Sequence, residues 1–208
     1  MSEPPARWLA LMERIGAGSG AEAWFERVAR CHETPPRAYH NLSHVEACLK
    51  EFDEVRSLAQ RPDEVELAIW FHDAVYDPKA ADNELRSADM AVDFLGAMGA
   101  ESGLIDAVQK LIMATLHDAK VPPETNDGKL LADVDLSILG KRPEIFDVYE
   151  SQIREEYSWV PHNVYCEKRR EALTGFHARA RIYFTREFHD RYDRQARANL
   201  ERSISRLK

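Results

Sequence analysis

Residues 70–77 read Trp-Phe-His-Asp-Ala-Val-Tyr-Asp and directly follow an apolar stretch at 65–69. Apolar residues at this spacing predict a buried helix, which would carry His72 and Asp73 side by side. Adjacent residues on a helix point about 100° apart, so both side chains reach one point only at its inner face. A buried carboxylate is costly unless it is paired or bound to a metal. The pair therefore predicts a bound cation with further ligands elsewhere in the chain.

The sequence on both sides of this stretch repeats the helical spacing of apolar residues, and nothing alternates usefully with period two. The prediction is an all-α fold. The helix that carries the pair is expected to begin at Asp63 and to stop at Pro78, and the preceding long helix to begin at Asn41 or Ser43. The last third, residues 143–208, predicts three helices.

The size and charge of the chain restrict its class. It has 208 residues, of which 44% are hydrophobic, and a formal net charge of −8. This length suits one domain over residues 1–208, with a ligand core at about 37–140 and a helical extension at about 143–208. The acidic balance argues against a nucleic acid polymer as a partner, although a nucleotide needs only a local pocket of cations.

The cysteines and the lack of targeting patterns indicate the cellular compartment. Cys31, Cys48 and Cys166 are widely spaced and form no Cys-x-x-Cys pair, which predicts reduced thiols rather than disulfides or a thiolate zinc site. The first residues lack the pattern of a signal peptide, and no stretch approaches the roughly 20 apolar residues that span a bilayer. We expect a cytoplasmic protein with no membrane partner.

Three other chemistry-bearing residues interrupt apolar runs and are candidates to complete the cation site. His44 lies one turn into the long helix, beside Val45 and Cys48. Asp133 and Asp135 lie within the apolar run at 130–140. Imidazole and carboxylate together suit a divalent metal that keeps water ligands.

The order His44, His72-Asp73, Asp135 resembles the HD superfamily of metal-dependent phosphohydrolases. An uncharacterised bacterial subgroup is more similar still. The shared motifs are Tyr-His-Asn-x-x-His, Phe-His-Asp-x-x-Tyr-Asp, Asn-Glu-x-x-Ser-Ala, Asp-x-Asp-Leu-x-Ile-Leu-Gly and Ala-Arg-x-Asn-Leu, at 39–44, 71–77, 83–88, 133–140 and 196–200. The resemblance implies an all-α HD bundle with additional C-terminal helices. It also implies that His44, His72, Asp73 and Asp135 ligate one metal, with Asp133 as the alternative to Asp135.

The implied activity is release of phosphate from a small phosphorylated compound, most plausibly a nucleotide, by a metal-activated water. The cofactor would be one divalent ion, and ligand type does not choose among Mn, Mg, Fe, Co, Ni and Zn. One alternative is an HD module that keeps its metal and binds a nucleotide or partner without hydrolysis. Another, di-iron oxygenase chemistry, needs further histidines and is disfavoured. Whether the long last helix packs on the core or on a second copy in a homodimer is open.

Two residues are candidates for the catalytic acid and base. Asp77 lies four residues after Asp73, so it would share the same helix face and orient the water. Related guanosine-tetraphosphate hydrolases carry a Glu-Asp pair just after HD, where this chain has Tyr76-Asp77; a helix-ending role beside Pro78 is the alternative. His117 ends an apolar helix before a loop and could protonate a leaving group. The alternative is that it only stabilises the C-terminal end of the helix, through the helix dipole.

Four residues are candidates for substrate binding. Arg37 precedes the His44 motif and Lys120 follows His117, so either cation could reach a phosphate. His40 precedes His44 by four residues and could face the same pocket or exchange roles with His44. Glu84 is a candidate through the family resemblance alone.

Overall fold

The structure is a computed structural model that describes residues 4–17, 20–34, 37–117 and 121–207. Within these ranges it contains α-helices, short 3₁₀ segments and no strand, which confirms the all-α prediction. The helices are α1 (Pro4–Arg14), α2 (Ala21–Glu33), α3 (Leu42–Val55), α4 (Pro62–Phe71), α5 (Asn83–Ala97), α6 (Ser102–Met113), α7 (Asn126–Asp135), α8 (Pro143–Glu156), α9 (His162–His177) and α10 (Arg186–Arg206).

The chain divides into two compact units, Met1–Leu131 and Ala132–Lys208. The boundary lies inside α7, earlier than the change expected between residues 140 and 143. That the whole chain acts as one domain stays a prediction. No helix in the described part of the chain combines the length and apolar character needed to cross a bilayer.

Helix α4 is the centre of the first unit. Every residue from Glu64 to Phe71 is buried, and α4 contacts α1, α3, α5 and α6. Pro62 begins the helix, because its missing N–H and fixed φ suit the first helical position. The residue before the helix is therefore Arg61, and the expected start at Asp63 is displaced into the first turn. The helix ends at Phe71, well before Pro78.

Aromatic side chains pack around α4. The Trp8 ring is fully buried, with its centroid 5.7 Å from that of Trp70, 5.9 Å from Phe71 and 5.5 Å from Phe94. Its Nε1 donates to the Ala21 carbonyl, so the polar atom of the indole is satisfied. These contacts hold α1 and α5 against the helix that leads to His72.

A buried carboxylate on α4 is neutralised by three arginines. Glu66 is 2% exposed and forms ion pairs with Arg7 and Arg14 of α1, each at 2.8 Å, and with Arg56 after α3. The arginines offset the cost of burying the charge. Two segments of the first unit, α1 and the residues after α3, are thus joined to α4 at one point.

The start of α7 fixes the start of α4. Asp127 accepts hydrogen bonds from the backbone N–H groups of Gln60 (2.8 Å) and Arg61 (2.9 Å). A carboxylate there satisfies N–H groups that have no partner within the helix. Helix α7 begins at Asn126, so Asp127 lies in its first turn.

In the second unit, the 3₁₀ segment Leu136–Gly140 packs against α10. A β-carbon at Gly140 would lie 2.9 Å from the Tyr192 carbonyl oxygen, which leaves no room for a side chain. The buried Asn199 amide donates to the carbonyls of Leu139 and Lys141, each at 2.8 Å. The late sequence motif at 196–200 therefore positions the segment that follows Asp135.

Candidate metal centre

His72 lies at the C-terminal end of α4 and is 1% exposed. Its Nδ1 lies 2.8 Å from the Ile69 carbonyl oxygen. A carbonyl can only accept, so Nδ1 carries a proton. This contact orients the ring so that Nε2 faces His44 and Asp73.

His44 approaches His72 from α3. The Asn41 side chain accepts from the Ser43 N–H and caps α3, which confirms Asn41 among the two predicted caps. The cap places His44 in the first helical turn, 5% exposed. Its Nε2 lies 3.1 Å from the Nε2 of His72.

The Asp73 carboxylate lies next to both imidazoles. Its Oδ2 is 3.2 Å from the Nε2 of His72 and 3.4 Å from the Nε2 of His44. Burial alone raises the pKa of the Asp73 carboxyl, but the surrounding imidazoles, His72 most of all, outweigh burial and hold that pKa well below its usual range. Asp73 is therefore an anion at neutral pH, set between two nitrogen donors.

These separations fit ligands of a single ion. Two ligands at about 2.1 Å from one cation lie about 3.0 Å apart at right angles and about 3.4 Å apart at the tetrahedral angle. The three measured distances, 3.1, 3.2 and 3.4 Å, lie within that range. The three donors thus fit a divalent cation.

Cys48 is a fourth donor that the sequence interpretation overlooked. Its Sγ is buried and lies 3.7 Å from the Nε2 of His44. The ligand atoms of His44, Cys48 and His72 lie within 4.8 Å of one another and could hold a metal ion. The signal in the sequence was the spacing of four between His44 and Cys48, which places both on one helix face.

Arg37 binds the backbone around Asp73. Its guanidinium donates to the carbonyls of Asp73 (2.6 Å), Ala74 (2.9 Å) and His40 (3.0 Å). Its predicted contact with a phosphate stays a prediction. What the structure adds is that Arg37 holds the turn carrying Asp73 against the start of α3.

His40 lies at the edge of this group. Its ring stacks on Tyr76 with centroids 4.1 Å apart, and its centroid is 6.1 Å from that of His44. Its imidazole also helps to lower the pKa of Asp73, after burial and the larger effect of His72. His40 is thus near the donors, as the sequence suggested. The residue that lies against His72 is His44 and not His40.

Asp133 is committed to the structure of the second unit. Its carboxylate accepts from the N–H groups of Phe184 and Thr185, each at 2.7 Å, and from the Thr185 hydroxyl at 2.6 Å. Thr185 in turn caps α10. Asp133 is fully buried, and these bonds account for that burial without a metal.

Asp135 is the last residue of α7 and is half-buried. In the second unit its carboxylate lies near Tyr149: burial raises the pKa of the Tyr149 hydroxyl, and the charges of Glu150 and Asp135 raise it further. Arg169, whose guanidinium carbon is 5.2 Å from the Tyr149 ring centre, acts in the opposite direction. Two acids and a cation thus lie around one half-buried tyrosine.

The premise for Asp77 as a base is wrong. Because α4 ends at Phe71, Asp73 and Asp77 do not share a helix face. Asp77 is exposed, its Oδ1 accepts from the Lys79 N–H at 2.9 Å, and its own N–H donates to Asn83. These bonds give the carboxylate a role in its own turn.

Two further predicted site residues, His117 and Glu84, also belong to the first unit. His117 is half-buried and ends a 3₁₀ segment with a left-handed backbone, φ 54°. Such a conformation is uncommon outside glycine, although histidine is among the residues that adopt it more often. Glu84 lies in the first turn of α5 and is half-buried. Lys120 lies outside the described residues.

Comparison of the chain with models of protein families, with curated proteins and with solved structures found no match.

Proposed function

We propose that this protein is a metal-dependent phosphohydrolase of the HD type, acting on a small phosphorylated compound such as a nucleotide. One observation carries the proposal: two buried imidazole Nε2 atoms 3.1 Å apart, with a carboxylate oxygen within 3.4 Å of both. This is the His44, His72-Asp73 core of the motif set to which the sequence is similar.

The family resemblance implies a second acid ligand, and we propose Asp135 for it. Asp133, the alternative, already accepts three hydrogen bonds from residues 184 and 185. This difference supports Asp135.

A bound divalent cation would supply Lewis-acid chemistry, lowering the pKa of water and stabilising negative charge on a phosphoryl oxygen. The protein's own contribution is orientation. The Ile69 carbonyl holds the His72 ring with Nε2 directed at the site, and Arg37 holds the backbone of Asp73. Burial of His44 and His72 keeps water from competing for their lone pairs.

The experiment is a metal analysis of the purified protein followed by a phosphate-release assay. The panel comprises nucleotides and phosphomonoesters, each with Mn²⁺, Co²⁺ and Mg²⁺. We expect turnover of at least one compound by wild type. Asp73→Asn should remove it, since loss of a ligand costs more than the roughly 10–100-fold of an outer-shell change. Asp89→Asn, an exposed acid on α5, is the control and should retain full activity.

No turnover of the panel by fully metallated protein would contradict the hydrolase. Equal activity of Asp73→Asn and wild type would contradict the assigned site.

A metal-retaining binding module is the second candidate. The observation that favours it is Asp77, the expected base, whose carboxylate is exposed and bonded within its own turn. This alternative predicts that a nucleotide raises the melting temperature of the metallated protein without being hydrolysed.

A further inference from the structure

We infer that Cys48 binds the metal ion directly through its sulfur, and that the centre therefore prefers Zn²⁺, Co²⁺ or Fe²⁺ to Mg²⁺ or Mn²⁺. The inference rests on the metal centre of the proposed function and not on its reaction. It adds a soft donor to a ligand set that the sequence predicted to contain only imidazole and carboxylate.

The position of Cys48 on α3 brings its sulfur to the imidazoles. Cys48 follows His44 by four residues, so the two side chains project from the same face. Its Sγ lies 3.7 Å from the Nε2 of His44. A nitrogen and a sulfur that share a tetrahedral ion, at about 2.1 and 2.3 Å, lie about 3.6 Å apart. The observed separation matches that of two ligands of one ion.

Burial distinguishes this thiol from a surface cysteine. Cys48 is 3% exposed and the three cysteines form no disulfide, so its sulfur lies at the site as a thiol. The apolar residues Val45, Leu49 and Phe52 of the same helix are buried as well. An ion held here would contact His44, Cys48 and His72 in place of bulk water.

The donor types decide the preference among metals. Thiolate ligands select zinc and similar thiophilic ions, whereas Mg²⁺ and Mn²⁺ favour oxygen donors. Two imidazoles and one sulfur form a nitrogen-and-sulfur set within the first unit, to which the Asp73 carboxylate adds one oxygen. Sites of this composition are typical of zinc.

The test is a Co²⁺ titration of the full chain under reducing conditions, followed by absorption spectroscopy. Cobalt bound to nitrogen and oxygen ligands gives weak visible bands, and a thiolate ligand adds a strong near-ultraviolet charge-transfer band. We expect both in wild type. Cys48→Ser should keep the visible bands and lose the charge-transfer band.

A competition titration supplies the second measurement. Cys48→Ser should weaken Zn²⁺ binding at least about 100-fold, since even loss of an outer-shell contact costs about 10–100-fold. Binding of Mn²⁺ should change far less. Cys48→Ala is the second variant, in case the serine hydroxyl disturbs the buried site.

Cys166→Ser is the matched control. Cys166 is also 3% exposed, and its Sγ lies 3.5 Å from the Nε2 of His162. It belongs to the second unit, and its loss should leave both the spectrum and the Zn²⁺ affinity unchanged.

A charge-transfer band that is missing in wild type, or that survives in Cys48→Ser, would overturn the inference while leaving the metal centre intact. Absence of the visible bands as well would overturn the metal centre, and with it the proposed function.

Discussion

His32 is a buried histidine that lies beside Arg37, the residue that holds the Asp73 turn. It is 1% exposed, and its Nδ1 accepts from the Arg37 guanidinium at 3.3 Å. Burial, followed by the positive charge of Arg37, lowers the pKa of His32 to about 4. The folded protein therefore holds this imidazole neutral at pH values where an unfolded chain would protonate it.

Stability should fall on acidification because of His32. Between pH 6.5 and about 4 the unfolded chain binds a proton here that the folded chain does not, so the free energy of unfolding decreases as the pH is lowered. The loss is about 3 kcal/mol over the whole interval, from about 1.4 kcal/mol per pKa unit. Urea denaturation in chelator at a series of pH values measures it.

His32→Gln should flatten this pH dependence, since an amide oxygen still accepts from Arg37 but does not titrate. His162→Gln, an exposed histidine at the start of α9, is the control and should keep the wild-type slope. An unchanged slope in His32→Gln would refute the assignment.

At the scale of the element, α4 depends on the neutralisation of Glu66. Glu66→Gln keeps the shape of the side chain and leaves Arg7, Arg14 and Arg56 without their shared charge. We expect a loss of about 2–4 kcal/mol in the free energy of unfolding, toward the lower end for breaking a buried pair because two of the arginines are partly hydrated.

Denaturant unfolding of Glu66→Gln beside Glu46→Gln checks this expectation. Glu46 is exposed on α3, and its substitution should stay within about 0.5 kcal/mol of wild type. Equal losses in the two variants would show that burial of Glu66 contributes nothing.

The helices themselves were largely predictable, because their apolar residues recur at helical spacing, and all three helices of the last third are present. Their ends were less so. Helix α4 stops at Phe71 because the backbone that follows turns to meet Arg37, a contact between residues far apart in sequence. Local sequence patterns do not predict a contact of this kind.

At the scale of the whole molecule, the sequence predicted the gathering of His44, His72 and Asp73, since each interrupts an apolar run. It did not predict Cys48, because a cysteine within an apolar face looks like ordinary core. Nor could it separate Asp133 from Asp135, since both interrupt the same run. The hydrogen bonds from residues 184 and 185 that engage Asp133 come from far along the chain.

Metal binding should stabilise the whole folded chain. An ion at 100 times its dissociation constant adds about 2.7 kcal/mol if it binds only the folded state. For a chain of this size that corresponds to a rise of roughly 5–10 °C in melting temperature. Differential scanning calorimetry with metal and with chelator measures the rise, which His72→Ala should abolish; a chelator-insensitive wild type would argue against the site.

Asp133 and Asp135 are two residues apart on α7, and this proximity affects how genetic data from the protein should be interpreted. Under the proposed function, a mutational scan scored by activity alone would mark both positions as intolerant. The reasons differ, because replacing Asp133 removes the acceptor that holds residues 184 and 185 at the start of α10. The cellular abundance of each variant is the readout that separates a position required for folding from one required for chemistry.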